Sequence, residues 1–350
     1  MSRISQIDKN FEIKAPSTRQ DTVFINATDP AFEINGVYYE DGKFRRLPEE
    51  VAKEVSWGVL GLSTNTAGGR LRFKTNSSYI ILHASLGEIG KMPHFALTGS
   101  AGFDLYQKEE EGYTYRGTIV PAFDVTDTVS GIADYGTNEL REITIDFPLY
   151  SEVCELHIGL QSTAVIEKPT PYKNEKPVVF YGSSITQGGC ASKAGTSYEG
   201  FLSRWLDIDY INLGFSGNAK AEDAMIDYIK NLDMSVFVYD YDHNAPDVEH
   251  LHATHEKMFK AVREQNPTLP IIMMSRPKVN LSSEEKQRLE IITETYQNAL
   301  AAGDKNVYLI TGPQLLAISG DDGTVDGCHP TDLGFYSMAK ALCGLLKELL

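Results

Sequence analysis

Hydrophobic and polar positions follow two different patterns, one before and one after about residue 165. The first half contains short segments rich in β-branched and aromatic residues, separated by turn sequences such as Asp41-Gly42 and Gly68-Gly69. We predict strands at 22–25, 70–74, 79–84, 113–120, 142–146 and 155–160. Many short strands punctuated in this way are typical of an all-β sandwich or jelly roll. A polar loop separates 71–73 from 79–82, which predicts that these two segments pair as a hairpin.

The second half alternates strands with helices. It follows the proline-rich segment 167–177 and contains predicted strands at 177–181, 210–213, 235–239, 270–274 and 307–310. Helices are predicted between them and at the end, over 196–206, 221–230, 252–264, 282–302 and 332–350, and two of these begin with capping-box sequences, Thr196–Glu199 and Ser282–Glu285. This alternation predicts a parallel sheet with helices on both faces. We therefore expect a β-sandwich accessory domain at 1–168 and an α/β domain at 169–350.

Composition and charge narrow the range of partners. Apolar residues make up 42% of the chain and charged residues 23%, as in ordinary globular proteins. The net charge of −16 argues against nucleic acid and anionic membrane surfaces as partners. No apolar run approaches the roughly 20 residues of a membrane helix. The first residues lack the apolar stretch of a secretory signal, so the expected location is the cytoplasm, or outside it if a signal has been removed. The sequence leaves open whether the chain forms a homo-oligomer.

Cysteine and histidine spacing gives no support for a metal. The four cysteines form no Cys-x-x-Cys pair, and His252 and His255 share a predicted helix without a further ligand. We therefore expect no metal and no cofactor. Cys190 and Cys328 flank the motifs described next and are expected to be free thiols, with one disulfide as the alternative.

Candidate catalytic residues follow the predicted strands of the second half. Because parallel strands end at the same edge of a sheet, residues in these loops should meet. A serine nucleophile needs a base, the base needs an orienting acceptor, and the oxyanion needs donors. We predict Ser184 as nucleophile, His329 as base and Asp326 as orienting acid. The oxyanion hole would comprise the backbone N–H groups of Ser184 and Gly217 and the side-chain amide of Asn244.

Several alternatives remain at this stage. Ser183 could replace its neighbour as nucleophile, and Asp332 is a rival orienting acid, although its position suits the first turn of a helix. Three further residues are candidates for substrate contacts: His243, Arg276 and Cys328. For Arg276 an ion pair with a nearby acid is an equal alternative. Trp57 and Trp205 are expected in the core.

The four loops that contain Ser184, Gly217, Asn244 and His329 resemble the sequence blocks of the SGNH hydrolases, also called GDSL lipases and acylhydrolases. That family carries Ser, Gly, Asn and His in this chain order, matched here by Ser184, Gly217, Asn244 and His329, with Asp326 in its Asp-x-x-His. Two blocks depart from the pattern, since Ser183 stands where the family has Asp and the asparagine block reads Asp242-His243-Asn244-Ala245. The resemblance implies a three-layer, flavodoxin-like α/β fold and a serine esterase that needs no cofactor.

A second resemblance lies in the first half. Gly102-Phe103-Asp104-Leu105-Tyr106 is similar to the Gly-x-Asp-Leu-Tyr signature of a β-domain that precedes some of these esterases. We expect its side chains at the domain interface rather than on a sugar. Two-domain bacterial carbohydrate esterases share this organisation, which implies a small-molecule or oligosaccharide ester as substrate and acetyl release through an acyl-enzyme. The alternatives are a lipase or thioesterase acting on longer chains, and a non-catalytic carbohydrate-binding protein with a degenerate hydrolase domain.

Overall fold

The computed structural model describes residues 7–8 and 19–350. In its first half the strands are β1 Thr22–Asn26, β2 Glu33–Asn35, β3 Tyr38–Glu40, β4 Lys43–Arg45, β5 Arg70–Thr75, β6 Tyr79–Ile89, β7 Phe103–Glu109, β8 Gly112–Ile119, β9 Thr128–Asp134, β10 Arg141–Asp146, β11 Ser151–Gln161 and β12 Ile166–Glu167. Three helices accompany them, α1 Glu49–Val55, α2 Trp57–Leu62 and α3 Leu97–Ser100.

Most of these strands form two antiparallel sheets. One sheet has the order β1-β11-β6-β9; the other has the order β12-β5-β10-β7-β8, with β2 also paired to β5. Alternate side chains of each strand point to opposite faces. In β10, for example, Ile143 and Ile145 enter the apolar layer between the sheets, where Leu71 and Phe73 of β5 meet them. The predicted β-sandwich is therefore confirmed.

The predicted hairpin between 71–73 and 79–82 is wrong. β5 pairs with β10, whereas β6 pairs with β11 and β9 in the other sheet. The polar loop carries the chain from one sheet to the other, and the sandwich supplies its hydrogen bonds. The Ser77 hydroxyl donates to the carbonyl of Tyr79, and the N–H of Ser78 donates to Gln161 Oε1 at 2.8 Å. The loop is polar because its buried backbone needs these partners.

The second half is a five-stranded parallel sheet covered by helices. Its strands are β13 Val178–Gly182, β14 Tyr210–Gly214, β15 Val236–Asp240, β16 Ile271–Met274 and β17 Val307–Ile310. Its helices are α4 Ser184–Gln187, α5 Tyr198–Leu206, α6 Asp223–Lys230, α7 Val248–Gln265, α8 Ser283–Ala301, α9 Gly312–Leu315 and α10 Asp332–Leu349, with 3₁₀ turns at Ala194–Thr196 and Asp321–Gly323. No helix within the described residues is long and apolar enough to cross a membrane.

The sheet order β14-β13-β15-β16-β17 is the flavodoxin-like arrangement, which confirms the predicted fold class. The interior strand β13 is buried throughout because both of its faces are covered. Val178 and Phe180 enter the apolar core on one face, and Val179 and Tyr181 enter the core on the other. Such a strand reads as a continuous apolar run rather than an alternating one.

The two predicted capping boxes have different outcomes. The box at the start of α8 is confirmed: the Ser282 side chain accepts from the N–H of Glu285, whose carboxylate accepts in return from the N–H of Ser282. The box at the start of α5 is wrong, because Ser197 caps that helix by accepting from the N–H of Gly200. Glu199 is instead fully buried, and Asn212 of β14 donates to it at 3.4 Å.

A segment of the first half, residues 46–66, is built into the α/β half. Leu47, Ala52 and Val59 lie in the same buried cluster as Leu213 and Phe215. Leu213 lies near the end of β14, and Phe215 directly follows that strand. This segment includes α1 and α2, and α1 packs against α6. The edge of the sheet where β14 ends is therefore partly made from residues that precede it by about 150 positions.

Candidate active site

Ser184 lies where the first strand of the parallel sheet, β13, leads into a helix. β13 ends at Gly182, and Ser183 caps α4 by accepting from the N–H of Ile185 at 3.1 Å. Ser184 is the first residue of that helix, and its Oγ lies 3.0 Å from Nε2 of His329. Ser183 is fully buried, and its hydroxyl is used for the cap. The structure therefore brings Ser184, and not Ser183, to the histidine.

Asp326 contacts the other side of the histidine ring. Its Oδ2 lies 2.7 Å from Nδ1 of His329, and its Oδ1 accepts from the backbone N–H groups of His329 and Cys328. Partial burial acts to raise the pKa of Asp326, but these hydrogen bonds outweigh it and lower the pKa to about 2. The carboxylate is therefore ionised at neutral pH. The rival acid Asp332 lies elsewhere, accepting from Thr196 and from the N–H of Ser192.

The predicted oxyanion donors lie at the ends of the neighbouring strands. Gly217 has φ of +69°, and a side chain built on it would meet nothing within 4 Å, so the space beside it is open. Within the described residues, the backbone N–H groups of Ser184 and Gly217 have no acceptor. Asn244 Oδ1 accepts from the N–H of Ala219 at 3.3 Å, which holds the amide beside the loop that contains Gly217.

The three candidates for substrate contacts are held by other protein groups. The buried His243 places Nδ1 3.7 Å from Sγ of Cys328. Burial, together with the charges of Arg276 and His329, holds the pKa of His243 well below its usual value, so its ring is neutral. The guanidinium of Arg276 forms an ion pair with Glu285 at 2.8 Å and a second one with Asp242. Its guanidinium is thus engaged in ion pairs, one of the two alternatives that the sequence left open. All four cysteines are free thiols.

Several residues of the first half reach this site, and the sequence did not identify them. The Tyr150 hydroxyl donates to the carbonyl of Ser184 at 3.1 Å. Gln187 of α4 donates to Asn65 at 3.0 Å and accepts from the N–H of Ser216 at 3.0 Å. Nothing in the sequence around Asn65 or Tyr150 marks them as neighbours of a serine more than 30 positions away. Their proximity arises only from the packing of the two halves.

Trp57 is not in the core, contrary to the prediction. Its side chain is 90% exposed, because α2 packs inward through Val59 and so turns its first residue to solvent. The next residue, Gly58, lies directly against Asn218, since a side chain there would overlap it. Trp57 is therefore the chain neighbour of a residue that contacts the loop of Gly217. Trp205 does pack, with its ring against those of Phe201 and Tyr336.

The Gly-x-Asp-Leu-Tyr segment lies at the contact between the halves, where it was expected. Oδ2 of Asp104 accepts from the N–H of Gly195 at 2.8 Å. The Arg204 guanidinium stacks on the ring of Tyr106 at 4.0 Å. The first contact holds the segment between α4 and α5 and the second holds α5 itself, so this motif positions the polypeptide that follows the candidate nucleophile.

Comparisons with known proteins agree with this organisation. Residues 175–347 match the model of the GDSL-like lipase/acylhydrolase family, and residues 22–166 match the model of the Gly-x-Asp-Leu-Tyr N-terminal domain of SGNH hydrolase-type esterases. No match was found among curated protein sequences.

Solved structures resemble the whole chain. A candidate GDSL-like lipase from Bacteroides ovatus is 29% identical with a TM-score of 0.83, covering 94% of this chain and 98% of its own. A salicylyl-acyltransferase from a tetracycline biosynthetic pathway is 18% identical with a TM-score of 0.76, covering 95% and 98%. A family two carbohydrate esterase from Cellvibrio japonicus is 15% identical with a TM-score of 0.61, covering 94% and 98%. The chain therefore belongs to the SGNH, or GDSL-like, lipase/acylhydrolase family, and it is a carboxylic ester hydrolase that carries an N-terminal domain of the Gly-x-Asp-Leu-Tyr type.

Proposed function

We propose that this chain hydrolyses short acyl esters, acetyl esters of carbohydrates in particular, through an acyl-enzyme on Ser184. The observation that carries the proposal is the continuous hydrogen-bonded series Ser184–His329–Asp326, with distances of 3.0 and 2.7 Å. The imidazole of His329 contacts the nucleophile through one nitrogen and the orienting acid through the other. This is the arrangement that activates a serine hydroxyl.

The proposed reaction has two half-reactions. Ser184 Oγ attacks the ester carbonyl while its proton passes to Nε2 of His329. The protonated ring then donates to the alkoxide that leaves, and the sugar departs as an alcohol. A water molecule, deprotonated by the same nitrogen, attacks the acyl-enzyme and releases the acid and the free serine. Asp326 holds the ring with Nδ1–H towards it, so that the lone pair on Nε2 faces the serine.

The oxyanion formed in each half-reaction needs donors, and three are assigned to it. They are the backbone N–H groups of Ser184 and Gly217 and the side-chain amide of Asn244. Support comes from the absence of a competing acceptor for either backbone group among the described residues and from the bond that fixes Asn244 beside Ala219. Loss of one such donor typically costs about 3 kcal/mol of barrier, so Asn244→Ala should lower kcat by roughly 100-fold.

Two features favour a carbohydrate as the alcohol part of the ester. The side chains of His329 and Asp326 are 26% and 35% exposed, so the site is open to solvent and can accept a bulky alcohol. Trp57 is an exposed aromatic residue next in sequence to Gly58, which contacts the loop of Gly217, and flat aromatic faces suit the apolar faces of sugar rings. The shared architecture with structures described as family two carbohydrate esterases, and with an acetyl xylan esterase from Butyrivibrio proteoclasticus, fits this proposal at the level of the fold.

Nitrophenyl esters of increasing chain length test the reaction and its acyl preference. We expect the acetyl ester to be hydrolysed fastest, Ser184→Ala to abolish turnover, and the neighbouring Ser183→Ala to retain most of it. Mass spectrometry after brief exposure to a serine-directed phosphonate should place the adduct on Ser184. If long-chain esters are preferred, the lipase or thioesterase alternative is correct. If a folded protein turns over no ester, the non-catalytic alternative is correct.

The carbohydrate is tested separately by measuring acetate release from a panel of acetylated glycans. Trp57→Ala should raise KM for an acetylated oligosaccharide while leaving hydrolysis of nitrophenyl acetate unchanged, because the small ester does not reach the indole. Equal effects on both substrates would remove Trp57 from the proposed binding surface. Acetate release from none of the glycans, together with normal hydrolysis of nitrophenyl acetate, would restrict the proposal to the esterase reaction.

A further inference from the structure

Three metal-ligating side chains from distant parts of the chain meet beside the candidate nucleophile. His94 precedes α3 in the first half, Cys190 follows α4, and His329 lies in the loop before α10. One ligand atom from each of these residues lies within 4.8 Å of the other two. The catalytic proposal uses only His329, and it leaves the grouping of the other two side chains unexplained.

We propose that His94, Cys190 and His329 form a binding site for Zn²⁺, and that its occupancy switches the esterase off. Two imidazoles and a thiolate are ligands that Zn²⁺ prefers, and three protein ligands leave the fourth position to water. Zinc bonds of about 2.0–2.3 Å set neighbouring ligand atoms roughly 3.3–3.8 Å apart in a tetrahedron. Separations of no more than 4.8 Å are therefore within about 1.5 Å of a binding arrangement. His94 is the most exposed of the three and is free to make that adjustment.

The surroundings of His329 fit a zinc ligand. Its Nδ1 is engaged by Asp326 at 2.7 Å, so Nε2 carries the available lone pair. A carboxylate bonded to the far nitrogen of an imidazole is the usual support for a histidine that binds zinc. The same carboxylate lies 3.9 Å from Nε2 of His94, which adds a negative charge next to the site. The strongly acidic chain also favours the approach of cations.

The backbone holds Cys190 and His94 near each other. Cys190 has φ of +77°, in the left-handed region that few residues other than glycine adopt, and the turn around it is closed by the N–H of Ala191 donating to Gly188 at 3.2 Å. The carbonyl of Ala191 lies directly against Gly99 of α3, where a side chain would overlap it. Thr98 hydrogen-bonds the carbonyl of Ser192. These contacts fasten the start of α3, and with it the segment of His94, onto the loop that carries Cys190.

Zinc at this position would compete directly with catalysis. The lone pair on Nε2 that would accept the proton of Ser184 would be shared with the metal, so the serine would lose its base. On binding, the thiol of Cys190 releases its proton to solvent and the thiolate bonds the metal; no electron is transferred. Inhibition is therefore reversible, and a chelator restores activity.

The test combines a binding readout with an activity readout. The full chain is titrated with Zn²⁺ by calorimetry and with Co²⁺ by absorption spectroscopy, since thiolate ligation to cobalt gives a charge-transfer band in the near ultraviolet. We expect a single site, a thiolate band, and inhibition that EDTA reverses. His94→Ala and Cys190→Ser should each weaken zinc binding by at least about 100-fold, because loss of a ligand should exceed the roughly 10–100-fold effect of losing an outer hydrogen bond.

Matched controls separate this site from rival ligands. Cys328→Ser removes a thiol next to His329, and His252→Ala removes a histidine on α7; both variants should bind zinc as the unmodified chain does. The proposal is overturned if Cys190→Ser keeps the cobalt band, or if neither His94→Ala nor Cys190→Ser weakens zinc binding. The inhibition readout rests on the proposed esterase function, whereas calorimetry and the cobalt spectrum do not. A chain that binds zinc but hydrolyses no ester would therefore contradict only the esterase proposal.

Discussion

Arg46 offers a quantitative test of how the first half supports the candidate active site. Its side chain is only 2% exposed, and it donates to the carbonyls of Asn65, Leu62 and Gly214 at 2.6–2.7 Å and to that of Asn212 at 3.2 Å. Two of these carbonyls belong to the segment 46–66 and two to the end of β14. Burial lowers the pKa of Arg46 to about 9, so the group is still charged at neutral pH.

Replacement by methionine keeps an unbranched apolar stem of similar length to that of arginine, and removes the guanidinium with every donor. Four carbonyls then lose a charged partner, and a hydrogen bond of this type contributes roughly 1.5–3 kcal/mol. The gross loss of about 6–12 kcal/mol is offset by several kcal/mol, because a guanidinium no longer has to be removed from water. The expected net destabilisation is about 3–5 kcal/mol, because four buried carbonyls are left without a donor. Arg46→Lys should lose nearly as much, since one ammonium cannot reproduce the planar fork.

Urea unfolding of the full chain, followed by circular dichroism, measures this effect. The matched control is Arg116→Met, which removes an exposed arginine of β8 and should change the free energy of unfolding by no more than about 0.5 kcal/mol. Arg46→Met should also lower kcat, because Gly214 leads into the loop of Gly217. A loss below about 1 kcal/mol with normal activity would refute the reasoning, since the carbonyls would then have found other partners or the desolvation penalty would cancel the bonds.

Three further predictions follow from the same contacts. Asp326→Asn should lower kcat by between about 10² and 10⁴-fold with little change in KM, because an amide can leave the ring of His329 in the wrong tautomer; steady-state kinetics measures this, and an unchanged kcat would exclude the assigned role. Burial raises the pKa of Glu199 to about 8 from 4.5 in the unfolded chain, so the folded protein retains an extra proton between these values and stability should fall as pH rises through that window. Glu199→Gln should flatten this decline in urea midpoints measured from about pH 5 to 8.5, and an identical slope in the variant would contradict it. Residues 169–350 expressed alone should not fold, because Leu47 and Val59 no longer cover Phe215; a cooperative thermal transition of that fragment would contradict this expectation.

The parallel sheet and the order of the candidate site residues could be predicted because their signals are local. A buried interior strand such as β13 has a continuous apolar sequence, and active sites of parallel sheets lie where the strands end. Ser184, Gly217 and Asn244 therefore each lie shortly after a recognisable strand, whereas a short helix and a 3₁₀ turn separate His329 from β17. The physical rule that joins them requires no knowledge of which strand lies beside which.

Strand pairing in the sandwich could not be predicted in the same way. β5 and β6 are adjacent in the sequence and separated by a short polar loop, which fits a hairpin as well as a crossover between sheets. A crossover between the sheets requires hydrogen-bond partners for the loop, such as Gln161. That residue belongs to a strand more than 80 residues away in the sequence. The capping sequence at Thr196–Glu199 failed for a similar reason, because burial against Asn212 changed the use of its glutamate.

The largest gap between sequence and structure concerns the role of the first half. As a separate accessory domain it would affect the reaction only through substrate binding. Instead the Tyr150 hydroxyl donates to the backbone of Ser184, and Arg46 connects segment 46–66 to β14. Gly58 contacts the loop of Gly217, and His94 lies near Asp326. In a linear sequence, each is an ordinary residue in an unremarkable segment. Once the halves pack, the seam between them forms one wall of the candidate active site, so substitutions in the first half should alter kcat as well as KM.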